Sequence, residues 1–295
     1  MQKQPKIIAK PINPSDMRSG SKLNIVPRKV NIDYDDINSP FFFDNNAPIS
    51  AFWTGLSTMF PLGEKEFINS VLLFKDKISD KKLLAEVQDF AVQEAHHAVQ
   101  HRKINQTFES LGYAVSKVES YIDEMIKYRI EHWTPEQRLS RTVCAEHVTA
   151  TMAHFALTHP HSLDAAPKSL QDLLLWHSIE EIEHKSVAFD VYKHCVGDMK
   201  ALRKHYRHFA LIEFPLQVRG ITKFLLKELG HKSTRQERKA MRKYLFGKEG
   251  LIRAVRKVYW MFNQKDFHPW QHDDSKLVEE WKVKLAPFIA QDLAA

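Results

Sequence analysis

The chain has 295 residues, enough for one large helical domain or a domain with an appendage. Only 9 are glycine, no Gly-rich phosphate loop is present, and no stretch alternates as a strand does, so the composition points to an all-α protein. The net charge of +7 is uneven: Met199 to Lys265 carries 18 Lys and Arg against 4 acidic residues, or +14, and the rest carries 25 against 32, or −7.

Residues 1–40 are polar and Pro-punctuated and read as an N-terminal arm, extended over the surface or disordered. From Phe41 the chain turns aromatic. Pro61 and Gly63 predict a helix start, with helix to about Ile78. Asp80 predicts the cap of a second helix, about Lys81 to Leu111, closed by Gly112. A third is predicted from about Lys117 to Trp133. Thr134-Pro135-Glu136-Gln137 predicts a capped fourth, reaching about Thr158. A fifth runs about Lys168 to Val196, ending at Gly197. The basic segment predicts a helix over about Lys200 to Leu229, bent at Pro215, then shorter helices near 234–246 and 249–263 and another from about Ser275. The expected organisation is a helical bundle over 41–197 and a basic helical extension over 198–295 packed on it.

No apolar run is long enough for a membrane span, and MQKQPKIIAKPINPSDM lacks the apolar stretch of a signal peptide. Cys144 and Cys195 do not form a secreted disulfide framework, so a cytoplasmic location is expected.

Four of these helices carry carboxylates where apolar residues belong. On the second, Val87, Phe90, Glu94, His97, His101, Ile104, Phe108 and Leu111 recur at alternating steps of three and four, one face of a helix. On the fifth, Leu170, Leu174, His177, Glu181, His184, Ala188, Val191 and Cys195 do the same. Glu181-x-x-His184 therefore repeats Glu94-x-x-His97, each pair one turn apart and pointing the same way. The fourth helix has one Glu146 within the stripe Leu139, Val143, Ala150, Ala153 and Leu157. The first has Glu64 on the face of Phe67, Ile68, Val71 and Leu72, whereas Glu66 continues into Asn69 and Ser70 and is expected in solvent. An uncompensated carboxylate in an apolar seam costs several kcal/mol or takes up a proton.

The order Glu, Glu-x-x-His, Glu, Glu-x-x-His is the constellation of a dinuclear carboxylate bundle. The expected fold is thus a ferritin-like four-helix bundle with additional C-terminal helices. The expected metal ligands are Glu64, Glu94, His97, Glu146, Glu181 and His184. His101 and His177 are expected either as further ligands or as hydrogen-bond donors to a ligating Glu. Glu180 lies beside the stripe, close enough to be a further ligand or an outer hydrogen-bond partner, and Glu183 is expected to face solvent. His96, His147 and His154 fall off the stripes and read as surface or ordinary packing. Oxygen donors with some nitrogen suit two Fe, or alternatively Mn or a mixed Fe/Mn pair.

The blocks PLGEKEF, FAVQEAHHAVQHRKIN, CAEHVTA and WHSIEEIEHKSVAFDVY resemble a bacterial ferritin-like family catalogued as predicted metal-dependent hydrolases. The resemblance covers about Phe52 to the C-terminus, including FHPW at Phe267–Trp270, and implies the same metal positions. Two activities are expected from such a site. One is O₂-dependent oxidation (of hydroxylase, desaturase or N-oxygenase type) of a small or acyl-type substrate, with Glu94 and Glu181 bridging the metals and Glu64 and Glu146 terminal. The alternative is hydrolysis by a metal-activated water. Iron storage is disfavoured by the non-repetitive C-terminal extension. Phe41, Phe42, Phe43, Phe52, Trp53 and Phe60 are either core or the lining of a substrate channel. The basic segment 199–265 suits a redox donor, an acidic carrier protein or a peripheral membrane contact, or is a solvated face; a homodimer is also compatible. No nucleic acid is expected, because aromatic residues do not alternate with the basic ones.

Overall fold

The computed structural model describes residues 20–291, which are helical or irregular without a strand among them. The helices are α1 (Ala47–Leu72), α2 (Lys81–Ser110), α3 (Val115–His132), α4 (Pro135–Thr158), α5 (Lys168–His184), α6 (Val187–Cys195), α7 (Met199–His208), α8 (Phe214–Glu228), α9 (Arg235–Phe246), α10 (Leu251–Met261) and α11 (Ser275–Gln291). Four of them close a ring: α1 packs on α2 and α4, and α5 packs on α4 and α2. Outside the ring, α3 and α8 lie on α1, α10 on α4, and α11 on α5.

Local chemistry accounts for most boundaries. Asp80 caps α2 by accepting from the backbone N–H groups of Lys82 (2.8 Å) and Leu83 (3.2 Å). Gly112 follows α2 with φ 98°, a conformation that costs a side-chain-bearing residue free energy. Thr134 and Gln137 form a complete capping box at the start of α4.

Three boundaries differ from the expected ones. α1 begins at Ala47, capped by Asn46, and runs through Pro61 instead of starting there. Pro61 has no N–H for the Ser57 carbonyl one turn back, but Asn105 Nδ2 of α2 donates to that carbonyl at 3.3 Å, so the helix continues. The helix expected over 168–196 breaks at Lys185 and Ser186. The Lys185 ammonium points inward there, donating to Asp274 Oδ2 (2.6 Å) and the His272 carbonyl (2.8 Å). Ahead of Pro215 the bend expected at that residue is a five-residue π-turn, Phe209–Glu213, which absorbs the missing hydrogen bond.

The core is layered. One apolar cluster includes Leu56, Ile104, Phe108, Ala153, Leu157, Leu170 and Leu174. The other includes Phe67, Val71, Val87, Phe90, Leu139, Val143, Ala188 and Val191. The charged positions of α1, α2, α4 and α5 fall between these two sets along each helix. Phe42, Phe43, Phe52 and Trp53 are core residues.

The arm's residues 1–19 lie outside the described residues. Residues 20–40 cross the bundle without regular structure and bury Ile25, Val30, Ile32, Tyr34 and Ile37. With no strand partner, their backbone is held by side chains of α2 and α5. Arg28 N–H donates to Glu180 Oε1 (2.8 Å), Gln93 Nε2 to the Val26 carbonyl (3.3 Å), and Ile32 N–H to Gln100 Oε1 (3.4 Å). The Arg28 guanidinium reaches Glu183 Oε1 (2.7 Å) and Glu180 Oε1 (3.3 Å), both carboxylates being wholly enclosed. Glu183 therefore does not face solvent, and Lys282 of α11 is its second cation at 2.9 Å. Removing one partner of a buried pair leaves a charge without compensation. Arg28→Ala is expected to lower the unfolding free energy by about 3 kcal/mol. Urea unfolding of the two proteins measures it, and an unchanged midpoint would contradict the anchoring role of the arm.

Candidate metal centre

Glu64 of α1, Glu94 and His97 of α2, Glu146 of α4, and Glu181 and His184 of α5 are all buried and converge on one region inside the ring. The helical spacing does this: each sits on the inward stripe, at the level where the two apolar clusters separate. His184 Nε2 lies 3.2 Å from Glu94 Oε1, 3.5 Å from Glu146 Oε2 and 3.6 Å from Glu181 Oε2. His97 Nδ1 lies 3.9 Å from both Glu94 Oε2 and Glu181 Oε1. Glu94 and Glu181 thus stand between the two imidazoles. Glu146 lies on the His184 side, and Glu64 groups with Glu94 and His97 on the other.

Many donor atoms here make no hydrogen bond: both oxygens of Glu64, Glu94 and Glu146, Oε2 of Glu181, Nδ1 of His97 and Nε2 of His184. Buried polar atoms without a partner are rare and costly. Their concentration at one point, as oxygen with some nitrogen, fits a pair of divalent cations. The outward atoms of the same imidazoles are, by contrast, engaged. His97 Nε2 meets Glu180 Oε2 at 3.1 Å, and His184 Nδ1 meets Gln93 Oε1 at 2.8 Å. Such outer contacts orient the two rings, so that His97 Nδ1 and His184 Nε2 face the carboxylates.

His101 and His177 form a chain leading to Glu181. Ser57 Oγ is 2.9 Å from His101 Nδ1, His101 Nε2 is 3.0 Å from His177 Nδ1, and His177 Nε2 is 2.8 Å from Glu181 Oε1. Both rings therefore have partners for both nitrogens, and both also belong to groups able to hold a metal ion: Glu64 with His101 and His177, and His97 with His177 and Glu181. His177 Nε2 also lies 3.9 Å from Glu64 Oε1. Phe60 covers the pair, its ring 4.5 Å from His101 and 5.2 Å from His177.

Glu66 is buried and not solvated: Arg138 holds its two oxygens at 2.8 and 2.9 Å. His147 is ordinary packing among Tyr206, Phe262 and Phe267. His154 joins His272 and Asp274, whose carboxylate also holds Lys185. Sequence spacing does not reveal Gln93, Arg28, Ser57 or Asn105. Gln93 shares its helix with the stripe but leans to its edge, and Arg28 arrives from an irregular segment with no period to read.

The electrostatics follow from crowding. Burial, then the neighbouring carboxylates, push Glu64 well above the usual carboxylate range. Burial, then Glu94, does the same for Glu146. Burial raises Glu94 against the pull of His184. Burial also raises Glu181, but the hydrogen bond from His177 and the charge of His184 prevail and hold it well below. Glu180 is pushed up to about 8, by burial first and against the Arg28 charge. Burial disfavours the cation of His184, yet Glu181 and Glu94 hold it protonated well above the ordinary histidine range. Burial keeps His97 and His101 neutral.

An all-α protein with this buried Glu and His cluster is of a class able to hold metal ions. The chain belongs to the family described as "Predicted metal-dependent hydrolase", whose model matches residues 26–273. No curated protein and no solved structure matches it.

In the metal-free folded chain Glu64, Glu94, Glu146, Glu180 and His184 bind their protons more tightly than in the unfolded chain, and Glu180, at about 8, keeps its proton above pH 6.5. Stability then falls as pH rises, because the native state binds more protons. Chelator-treated protein is expected to show a urea midpoint that drops steadily from pH 6.5 to pH 8.5. With divalent metal bound, the protons are displaced and the slope is expected to flatten. A metal-free midpoint that rises with pH would contradict this charge arrangement.

Proposed function

We propose that this chain is a dinuclear metal enzyme with a ferritin-like bundle core, and that it catalyses hydrolysis. The observation that carries the metal reading is the convergence of hydrogen-bond-free oxygens and nitrogens of Glu64, Glu94, His97, Glu146, Glu181 and His184. Family membership favours hydrolysis as the reaction. In this reading Glu64, Glu94, His97, Glu146, Glu181 and His184 would hold the two metals, Glu94 and Glu181 standing between the His97 side and the His184 side. Two bound divalent cations, Fe or Mn by the hardness of the donors, supply Lewis acidity and lower the pKa of a water.

The protein's own groups do the rest. Gln93 and Glu180 hold the two imidazoles by their outer nitrogens, so neither ring turns away from the centre. His177 holds a proton against Glu181 Oε1, with His101 and Ser57 behind it, and so fixes which oxygen of Glu181 points inward. The apolar clusters on both sides exclude bulk water and strengthen each electrostatic contact inside.

O₂-dependent oxidation is a second reading. It is supported by the carboxylate-rich donor set and by the mainly apolar lining of the cavity beside α1 and α4.

Anaerobic loading with Fe(II) or Mn(II) is expected to give about two metals per chain by elemental analysis. Glu146→Ala is expected to lose about half of that with its far-UV helix signal intact, and unchanged occupancy removes Glu146 from the centre. For the reaction, generic esters should turn over with Mn(II) under strict anaerobiosis. Absence of such turnover, with O₂ uptake by the Fe(II) protein, would favour oxidation.

A further inference from the structure

Away from the candidate dinuclear centre, three donors from distant parts of the chain meet. His154 lies near the end of α4, about 12 Å along the helix from Glu146. His272 and Asp274 lie in the segment between α10 and α11. His154 Nδ1 is 2.9 Å from Asp274 Oδ1, His272 Nε2 is 3.2 Å from the same oxygen, and the two nitrogens are 3.2 Å apart. Lys185, at the break between α5 and α6, donates to Asp274 Oδ2 (2.6 Å) and to the His272 carbonyl (2.8 Å). It therefore holds the carboxylate and the backbone of His272 in place and leaves Oδ1 to the imidazoles. Asp274 is buried, and both histidines are half-buried.

Hydrogen bonds alone do not satisfy this triangle. A ring nitrogen either carries a proton or offers a lone pair, and an ionised carboxylate oxygen only accepts. With both nitrogens protonated, two N–H groups crowd each other across 3.2 Å. With one protonated, the other turns its lone pair on the Asp274 oxygen at 2.9 or 3.2 Å. A cation among the three removes the conflict, because each donor then directs a lone pair at it. The spacing suits such an ion: donors at roughly 2.0–2.1 Å from a tetrahedral Zn(II) stand about 3.3 Å from one another. A cavity of about 20 Å³, bordered by His147, Thr151, Lys185, His272 and Asp274, admits one water-sized ligand beside the triangle.

We propose that His154 Nδ1, His272 Nε2 and Asp274 Oδ1 hold one Zn(II) ion, with its fourth position open to this cavity. The site is separate from the dinuclear centre and does not depend on that reading. Two imidazoles and one carboxylate form a softer, nitrogen-richer set than the four carboxylates and two imidazoles inside the ring, so zinc is favoured here and harder ions there. Three protein ligands with one open position are the arrangement of a zinc that takes a water or another small ligand; a zinc bound for structure alone has four protein ligands. Lys185 in the cavity wall favours a negatively charged ligand at that position.

Zinc uptake tests this. The full chain, treated with chelator, is equilibrated with Zn(II), freed of excess by gel filtration and assayed for metal. Wild type is expected to retain about one zinc per chain more than His154→Gln or His272→Gln, with the far-UV helix signal unchanged in both variants. Calorimetric titration with Zn(II) should show that binding phase weakened roughly tenfold or more in either variant. Glu146→Ala, which alters the dinuclear centre, should keep the phase. Equal zinc content, or equal affinity, in wild type and both histidine variants overturns the proposal. A total of about one zinc per chain, lost in both histidine variants, supports this site and sinks the dinuclear reading. A total of about two that neither histidine variant lowers does the reverse.

Discussion

Four carboxylates brought together inside a ring of helices repel one another, and the rest of the fold is organised around that repulsion. Among the described residues, Glu64, Glu94, Glu146 and Glu181 have no Lys or Arg bound directly to them. Their near neighbours are imidazoles, of which His97 is held neutral by burial and His184 is held charged by the carboxylates it meets. Lysine and arginine are kept one layer further out, on Glu180, Glu183 and Glu66. That separation preserves inward atoms as donors to a cation while the outer layer is neutralised by the protein itself. Direct pairing with arginine would satisfy the same charges and leave nothing for a metal to bind.

The two apolar clusters complete the arrangement. They flank the charged layer along all four helices, so the layer is closed at both ends by Val, Leu, Ile and Phe. Low polarizability there raises the cost of every free carboxylate and the gain from every cation. Rigid packing of those clusters also keeps the six candidate ligands in register, since each is fixed to a helix whose neighbouring turns are jammed on both sides.

The α-helical class and the inward set of six residues were legible because both depend on the 3.6-residue period. Glu94, His97, Glu181 and His184 are one turn apart, and their stripe is apolar elsewhere. What stayed hidden depends on contacts between distant segments. Glu66 and Glu183 read as solvated because their own helices offer no partner; Arg138 and Arg28 come from elsewhere. Pro61 reads as a helix start because sequence shows the missing N–H but not Asn105, which satisfies the orphaned Ser57 carbonyl. The break at Lys185 has no Pro or Gly to announce it and follows from a buried ammonium reaching Asp274.

Residues 20–40 look like a covering strap, yet they also brace the outer partners of the inner imidazoles. Arg28 fixes Glu180, which holds His97; Arg28 and the Val26 carbonyl fix Glu183 and Gln93, and Gln93 holds His184. Both inner imidazoles are thus tied to a single arginine, His97 through Glu180 and His184 through Gln93 and Glu183, and it stands more than sixty residues before either of them. The four helices alone are consequently not a self-sufficient metal-holding unit: the smallest piece of this chain that keeps both imidazoles oriented includes the irregular segment that crosses them.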